Sequence, residues 1–441
     1  MPTIRDSGRV SSNHAAIHEQ GRRWRSLLDG ALRNRALEVV DEITDNLRAD
    51  WPPSGDRIVV ASPSLAGGAA GLVVLFAYLA DARSGTDDEA AAARWLDQAI
   101  DAVSDQPMEA SLYGGLTGVG WAAAHLGKLL PGLDREDVND EIDETLLEHL
   151  GQSPWPDEYD LIGGLVGFGV YAVERLPRST AAACLECVID HLAQTAERRP
   201  EGTTWWTNPA WLIPEAREQF PRGYYNLGLA HGVPGVIALF GCACAAGVAM
   251  GKVRPLLDGA VRWLLAQQRT EGPAAFPGWV GPAIPTVPAR LAWCYGDLGL
   301  AVALLWAARS VGEADWEAKA LAIARRAAEW PAEQSGVVDA GLCHGAAGVG
   351  HLFNRLFQAT GEACFAEAAG FWIERTLALR QPGRGIAGYL SWSPGADGAL
   401  NWLAEPGLLT GAAGIALALL AAATPIEPAW DRLLLASVPP R

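Results

Sequence analysis

Positive charge is in short supply in this chain. Lysine and arginine together number 34 against 51 aspartates and glutamates, for a formal net charge of -17. No stretch gathers basic residues into a patch. Neutralising nucleic-acid phosphates requires such a face, so a nucleic-acid partner is not expected, and the acidity reads as a solvated surface. An apolar core is likewise missing from residues 1–25, which removes the signature of a secretory signal and gives the expectation of a cytoplasmic protein. Seven cysteines, an odd number in a chain without an export signal, leave little basis for a disulfide framework. Cys184, Cys187, Cys242, Cys244 and Cys364 lie in apolar helical surroundings and read as small core residues. Cys184 and Cys187 have no second pair to complete a structural zinc site.

Apolar residues and glycine are plentiful. Half of the 441 residues are apolar and 49 are glycine, ample material for a large core. The glycines are ordered: a Gly-x-x-Gly followed by eight to ten mostly apolar residues begins at Gly68, Gly115, Gly164, Gly232, Gly296, Gly345 and Gly411. The chain is therefore an internal repeat. Two of its uncharged runs, 227–250 and 406–425, are long enough to raise the question of a membrane span. Each contains the Gly-x-x-Gly break and follows a pattern whose other copies are too short to cross, so both are expected as buried helices, with no integral membrane segment.

Between the glycine motifs lie amphipathic segments. Leu28, Leu32, Leu37, Val40, Ile43 and Leu47 are spaced as the buried face of a helix that ends at Asp50–Gly55. Further amphipathic helices are predicted at about 87–104, 135–150, 179–198, 254–269, 312–330 and 361–380. A helix that is apolar all round must be buried, and one with a single apolar stripe must cover it. Seven such pairs make an open solenoid or a closed ring. Closure is favoured because the terminal repeats are as apolar as the middle ones and show no polar cap. The expectation is an all-α protein, an α/α toroid of seven inner and seven outer helices over residues 27–425, with a lead-in at 1–26 and a C-terminal tail at 426–441. The glycines are assigned to close packing at the narrow centre of the ring, since a phosphate cradle would need a strand context that is missing.

Long connections, roughly 199–230, 270–293 and 381–409, enter the inner helices of repeats four, five and seven at the Gly-x-x-Gly end. They carry Trp205, Trp206, Trp211, Trp279, Trp392 and Trp402, which either plug the ends of the toroid or line a groove that grips a peptide. The two positions before each motif form a register. They read Ala66-Gly67, Tyr113-Gly114, Ile162-Gly163, Ala230-His231, Cys294-Tyr295, Cys343-His344 and Leu409-Thr410. Only repeats four to six carry His or Cys there. Cys294, Cys343 and His344 thus offer two sulfurs and an imidazole at the same end of adjacent inner helices. Such a set would bind Zn²⁺ with a fourth position open, the pattern of catalytic zinc. His231 shares the register position of His344 and should face the same cavity. His125 and His351, past their glycines, read as structural; His14, His18, His149 and His191 read as surface residues.

Three motifs, Gly228-Leu229-Ala230-His231-Gly232-Val233-Pro234-Gly235, Trp293-Cys294-Tyr295-Gly296-Asp297 and Cys343-His344-Gly345-Ala346-Ala347-Gly348, give the chain a strong resemblance to the lanthionine synthetase C-type cyclases over about residues 60–422. The resemblance implies a zinc enzyme that adds cysteine thiols of a dehydrated precursor peptide to dehydroalanine or dehydrobutyrine, closing thioether rings. It implies Cys294, Cys343 and His344 as metal ligands, His231 as acid/base, Asp160 as its carboxylate partner, Arg290 as an active-site arginine and Tyr295 beside the metal. Asp160 would either orient the His231 ring or cap the following helix, and Arg290 would stabilise an enolate oxygen or pair with Asp160. A histidine that titrates near neutrality suits proton delivery to the enolate.

No second catalytic domain fits between the repeats, so the resemblance further implies a separate dehydratase, an accompanying transporter, and a place at the membrane periphery through such a complex. Two other classes compete. One is a zinc and glutathione-type thiol-binding protein of the same family that cyclises nothing. The other is a different α/α toroid enzyme, a protein prenyltransferase or a terpene cyclase. For the latter the nearest acidic motif, Thr86-Asp87-Asp88-Glu89, lies on an outer helix.

Overall fold

A computed structural model describes residues 23–48, 62–83, 86–105, 107–130, 137, 139–270, 272, 274–282, 284, 289–395 and 398–439. The lead-in up to residue 22, with His14 and His18, and the helix-ending Asp50–Gly55 lie outside the described residues. Among the described residues seven inner helices each begin one residue after the first glycine of a motif: α2 (Ala69–Arg83), α4 (Leu116–Leu129), α6 (Leu165–Arg175), α9 (Val233–Ala245), α11 (Asp297–Val311), α13 (Ala346–Thr360) and α15 (Ala412–Ala423). Seven outer helices alternate with them: α1 (Gly30–Arg48), α3 (Thr86–Asp105), α5 (Asp140–His149), α7 (Ser179–Thr195), α10 (Met250–Ala266), α12 (Ala314–Ala328) and α14 (Ala363–Ala378).

Burial follows the hydrophobic pattern. Every residue of α15 is buried, whereas α12 buries only Ala320, Ile323, Ala324 and Ala327, one stripe at helical spacing. Each inner helix packs on the next from α2 to α15, and α15 packs back on α2, which closes the ring. The first outer helix, α1, covers the last inner helix, α15. Backbone N–H groups of Leu27 and Leu28 donate to Ala422 O, and Trp24 Nε1 donates to Ala421 O, sealing that joint. The uncharged runs at 227–250 and 406–425 are α9 and α15 with their lead-in turns. Among the described residues no helix is long and apolar enough to cross a membrane.

The long connections hold structure that the sequence pattern does not announce. Among the described residues three two-stranded antiparallel sheets form there: β1 (Glu197–Arg199) with β2 (Gly202–Thr204), β3 (Tyr225–Asn226) with β4 (Trp279–Val280), and β5 (Ser391–Pro394) with β6 (Leu400–Leu403). A short helix, α8 (Pro214–Gln219), precedes β3. The β3–β4 pair joins the loop entering α9 to the loop entering α11.

Other departures have local causes. The motif glycines are required less by neighbouring helices than by their own lead-in loops, which curl over the first helical turn. A β-carbon at Gly348 would be driven onto the carbonyl of Leu342, and one at Gly164 onto that of Glu158. His191 is buried, not on the surface, and donates from Nε2 to Leu150 O at 2.7 Å. Cys364 is exposed on the first turn of α14, because that end of the outer layer faces solvent. Residues 427–438, set apart in sequence as a tail, fold back inside the ring and bury Trp430, Asp431, Leu433 and Leu434.

Candidate metal centre

Register becomes proximity through the backbone. Ala230 N donates to Cys294 O, Trp293 N and Cys294 N both donate to Cys343 O at 3.2 and 3.3 Å, and Cys343 N donates to Leu409 O. From repeat four to repeat seven, the residue two before the motif glycine is thereby stitched to its counterpart in the next repeat. Equal positions in sequence become neighbours around the mouth of the ring.

This stitching brings one ligand atom each of Cys294, Cys343 and His344 within 4.8 Å of one another. A hydrogen bond from Cys343, against the opposing effect of burial and with help from His344 and the charge of Arg290, holds the Cys294 thiol well below the ordinary cysteine range. The same bond, with burial acting in the same sense, pushes its donor, Cys343, well above that range. Two sulfurs, one of them already inclined to thiolate, and an imidazole are a donor set that fits zinc. Asp339 lies behind His344, its Oδ2 3.8 Å from Nε2. This buried carboxylate also accepts from Gly341 N at 3.1 Å and from Trp392 N at 3.0 Å, and so anchors the β5–β6 hairpin beside the cluster.

At the same mouth, His231 Nδ1 is 2.5 Å from Asp160 Oδ2. Asp160 Oδ1 accepts from Gly163 N at 2.8 Å, so one carboxylate orients the ring and holds the turn before α6, whose N-cap, Gly164, has no side-chain cap bond. Burial disfavours an imidazolium here, but the hydrogen bond and charge of Asp160, joined by the charges of Cys294 and Glu158, prevail and raise the His231 pKa. Tyr295 stacks beside His231, with ring centroids 6.0 Å apart, and its hydroxyl accepts from Asn226 Nδ2 at 2.9 Å. Burial pushes the Tyr295 hydroxyl up, keeping it protonated. Arg290 is exposed at the rim, near enough for its charge to act on Cys294, Cys343 and His344.

Three neighbours escape the sequence analysis: Glu158, Asn226 and Asp339. Burial, then the charge of Asp160, pushes the Glu158 carboxyl up to about 7. Each lies six residues before its motif glycine, a register position shared with Arg290, and that spacing is the signal that would have found them. Asp297 follows Gly296, which turns at φ 100° where glycine is favoured. Its buried carboxylate accepts from Ala275 N and Phe276 N at 2.6 and 3.0 Å, pinning the loop into α11. Among the tryptophans, Trp205 is buried with Nε1 on Leu192 O, a plug, whereas Trp392 and Trp402 pair on the β5–β6 hairpin and Trp402 is 44% exposed. The acidic motif on α3 sends Asp88 to Arg48 of α1, in the outer layer.

Fold and site together define an α/α toroid with a two-thiol, one-imidazole cluster at its mouth. The model of the lanthionine synthetase C-like protein family matches residues 59–435, and the chain belongs to that family. Its fold is similar to that of nisin cyclase, with a TM-score of 0.70 at 18% identity over 92% of this chain and 97% of that one. A sugar epimerase from a ruminal bacterium aligns at a TM-score of 0.45 and 12% identity, over 89% of this chain and 98% of that one. No curated protein sequence matches significantly.

Proposed function

We propose that the chain is a zinc-dependent lanthipeptide cyclase, which joins cysteine thiols of a precursor peptide to dehydroalanine or dehydrobutyrine and so forms lanthionine and methyllanthionine rings. The observation that carries this is the convergence of Cys294, Cys343 and His344 with a His231–Asp160 pair at one mouth of the ring. Family membership supports it. Bound zinc supplies a cation that lowers the pKa of a substrate thiol, making thiolate available at neutral pH.

The chain's own residues do the rest. Cys294, Cys343 and His344 would hold the ion. Arg290 offers positive charge at the rim, suited to the enolate oxygen that develops as sulfur bonds to the β-carbon and the alkene π bond opens. His231, whose imidazolium form Asp160 favours, gives a proton to the α-carbon, and the proton lost from the substrate thiol restores the balance. Tyr295 walls the cavity between His231 and the ligands. The hairpin carrying Trp392 and Trp402 offers aromatic surface to an extended peptide. The substrate must arrive already dehydrated, so a separate dehydratase acts first, and association with it and with a transporter belongs to the same proposal.

The test is incubation with a dehydrated precursor peptide and a count of its free thiols. The count should fall with the wild type and stay level with Cys294→Ala. A level count with zinc-loaded wild type would contradict cyclisation and leave a thiol-binding protein.

A further inference from the structure

At the end of the ring away from the motif glycines, α15 stops at Ala423 and the chain turns back inside. The returning segment is keyed in place by charge. Asp431 accepts from Arg355 Nε and Nη2 at 2.6 and 3.0 Å and from His351 Nε2 at 2.9 Å, all three residues being buried. Trp430 stacks on His351 with ring centroids 4.6 Å apart. Arg355 also donates to the carbonyls of Pro428 and Val438, at 3.2 and 3.4 Å, on either side of the tip. A buried ion pair of this kind needs its remaining donors satisfied, and here the segment's own backbone does so.

The tip of the segment reaches the metal centre from below. Tyr113 Oη donates to Leu433 O and Trp293 Nε1 donates to Leu434 O, each at 2.8 Å. Leu435 then reverses the chain at φ 53°. Tyr113 occupies in its repeat the register position that Cys294 and Cys343 hold in theirs, and its ring lies 6.1 Å from that of Trp293. Both rings are 1% exposed. Trp293 is thus tied at two points. Its backbone N–H is bonded to Cys343 O, and its indole is bonded to the C-terminal segment. It immediately precedes Cys294.

We propose that the C-terminal segment is the floor of the metal centre, and that Trp293, held by the Leu434 carbonyl, is a positioning residue that fixes Cys294 relative to Cys343. Tyr113, bonded to the Leu433 carbonyl with its ring 6.1 Å from that of Trp293, holds the same tip in place. The proposal rests on the assignment of Cys294, Cys343 and His344 as metal ligands. Residues that orient ligands from behind typically change metal affinity about 10- to 100-fold when removed.

Cobalt(II) titration of the full chain tests it. Wild type should show thiolate-to-cobalt charge transfer and d–d bands. Trp293→Phe, which keeps an aromatic side chain but loses the indole N–H and the second ring, should weaken binding roughly tenfold or more and shift the d–d bands, with helix content by circular dichroism unchanged. Tyr113→Phe should act in the same direction and carries the test if Trp293→Phe does not fold. A purely structural role would lower the melting temperature without moving the bands. Identical cobalt affinity and spectra in wild type and variants would overturn the inference while leaving the metal site standing. A wild type without cobalt bands would overturn the metal assignment and this inference with it.

Discussion

Asp160 serves two neighbours with its two oxygens, one holding the turn into α6 and the other holding His231. The consequence is a pH effect with a definite sign. Asp160 raises the His231 pKa above the ordinary histidine value, so the imidazolium, the proton donor of the proposed mechanism, persists as pH rises and is lost only on passing that raised pKa. Asp160→Asn should therefore move the alkaline fall of the cyclisation rate to lower pH, and His231→Ala should slow the rate about 100-fold or more. A rate–pH profile recorded on both variants checks this; an unmoved alkaline limb for Asp160→Asn would contradict it. Cys294, Cys343, His344 and His231 were legible in the sequence because they stand in register with bland residues in the other repeats. Glu158, Asn226 and Asp339 stand in a second register, six residues before the motif glycine, but Ser62, Glu109, Arg290 and Glu405 are polar there too, so residue type alone does not single out the three.

Among the elements, the inner helices owe their starting points to glycine. The lead-in loop closes on the first turn so tightly that a side chain at Gly348 would meet the carbonyl of Leu342, whereas Gly370, inside α14, has nothing within 4 Å of a β-carbon. Gly348→Ala should destabilise the protein by about 1–3 kcal/mol. Gly370→Ala should stabilise it by about 0.5–1 kcal/mol. Thermal or denaturant melts of the two variants make the comparison, and equal effects would refute the backbone-closure account. Helix pairing was readable because each element is long enough to show a period. Strands of two to four residues show none, and the Asp297 contacts with Ala275 and Phe276 link positions that no spacing relates.

The whole molecule is held from its centre as well as around its rim. Glu174 of α6 gathers His125 and Lys128 of α4 and Arg432 of the C-terminal segment. Burial opposes its charge, yet the His125 hydrogen bond and the surrounding cations lower its pKa to about 2. For a depressed carboxylate the stabilisation is complete above the ordinary glutamate pKa and is lost as pH falls towards the lowered value. Glu174→Gln should thus cost on the order of 3 kcal/mol near neutrality and flatten the loss of stability between roughly pH 5 and 2. Denaturant melts across that range provide the check; parallel acid limbs in wild type and variant would contradict it. Glu158 and Asp297, raised to about 7 and about 6, work in the opposite sense, losing stability as pH rises through those values. The ring was legible from seven repeats. The central segment was not, because its partners lie as far as 320 residues away and its few apolar residues carry no period.

Metal analysis joined to ring closure tests the central claim most directly. Purified wild type should carry about one zinc per chain and consume the thiols of a dehydrated precursor, and Cys343→Ala, with one of the donors that fit zinc removed, should lose both the metal and the activity. Wild type that closes rings at full rate without zinc, or Cys343→Ala that retains its zinc and its rate, would contradict the account.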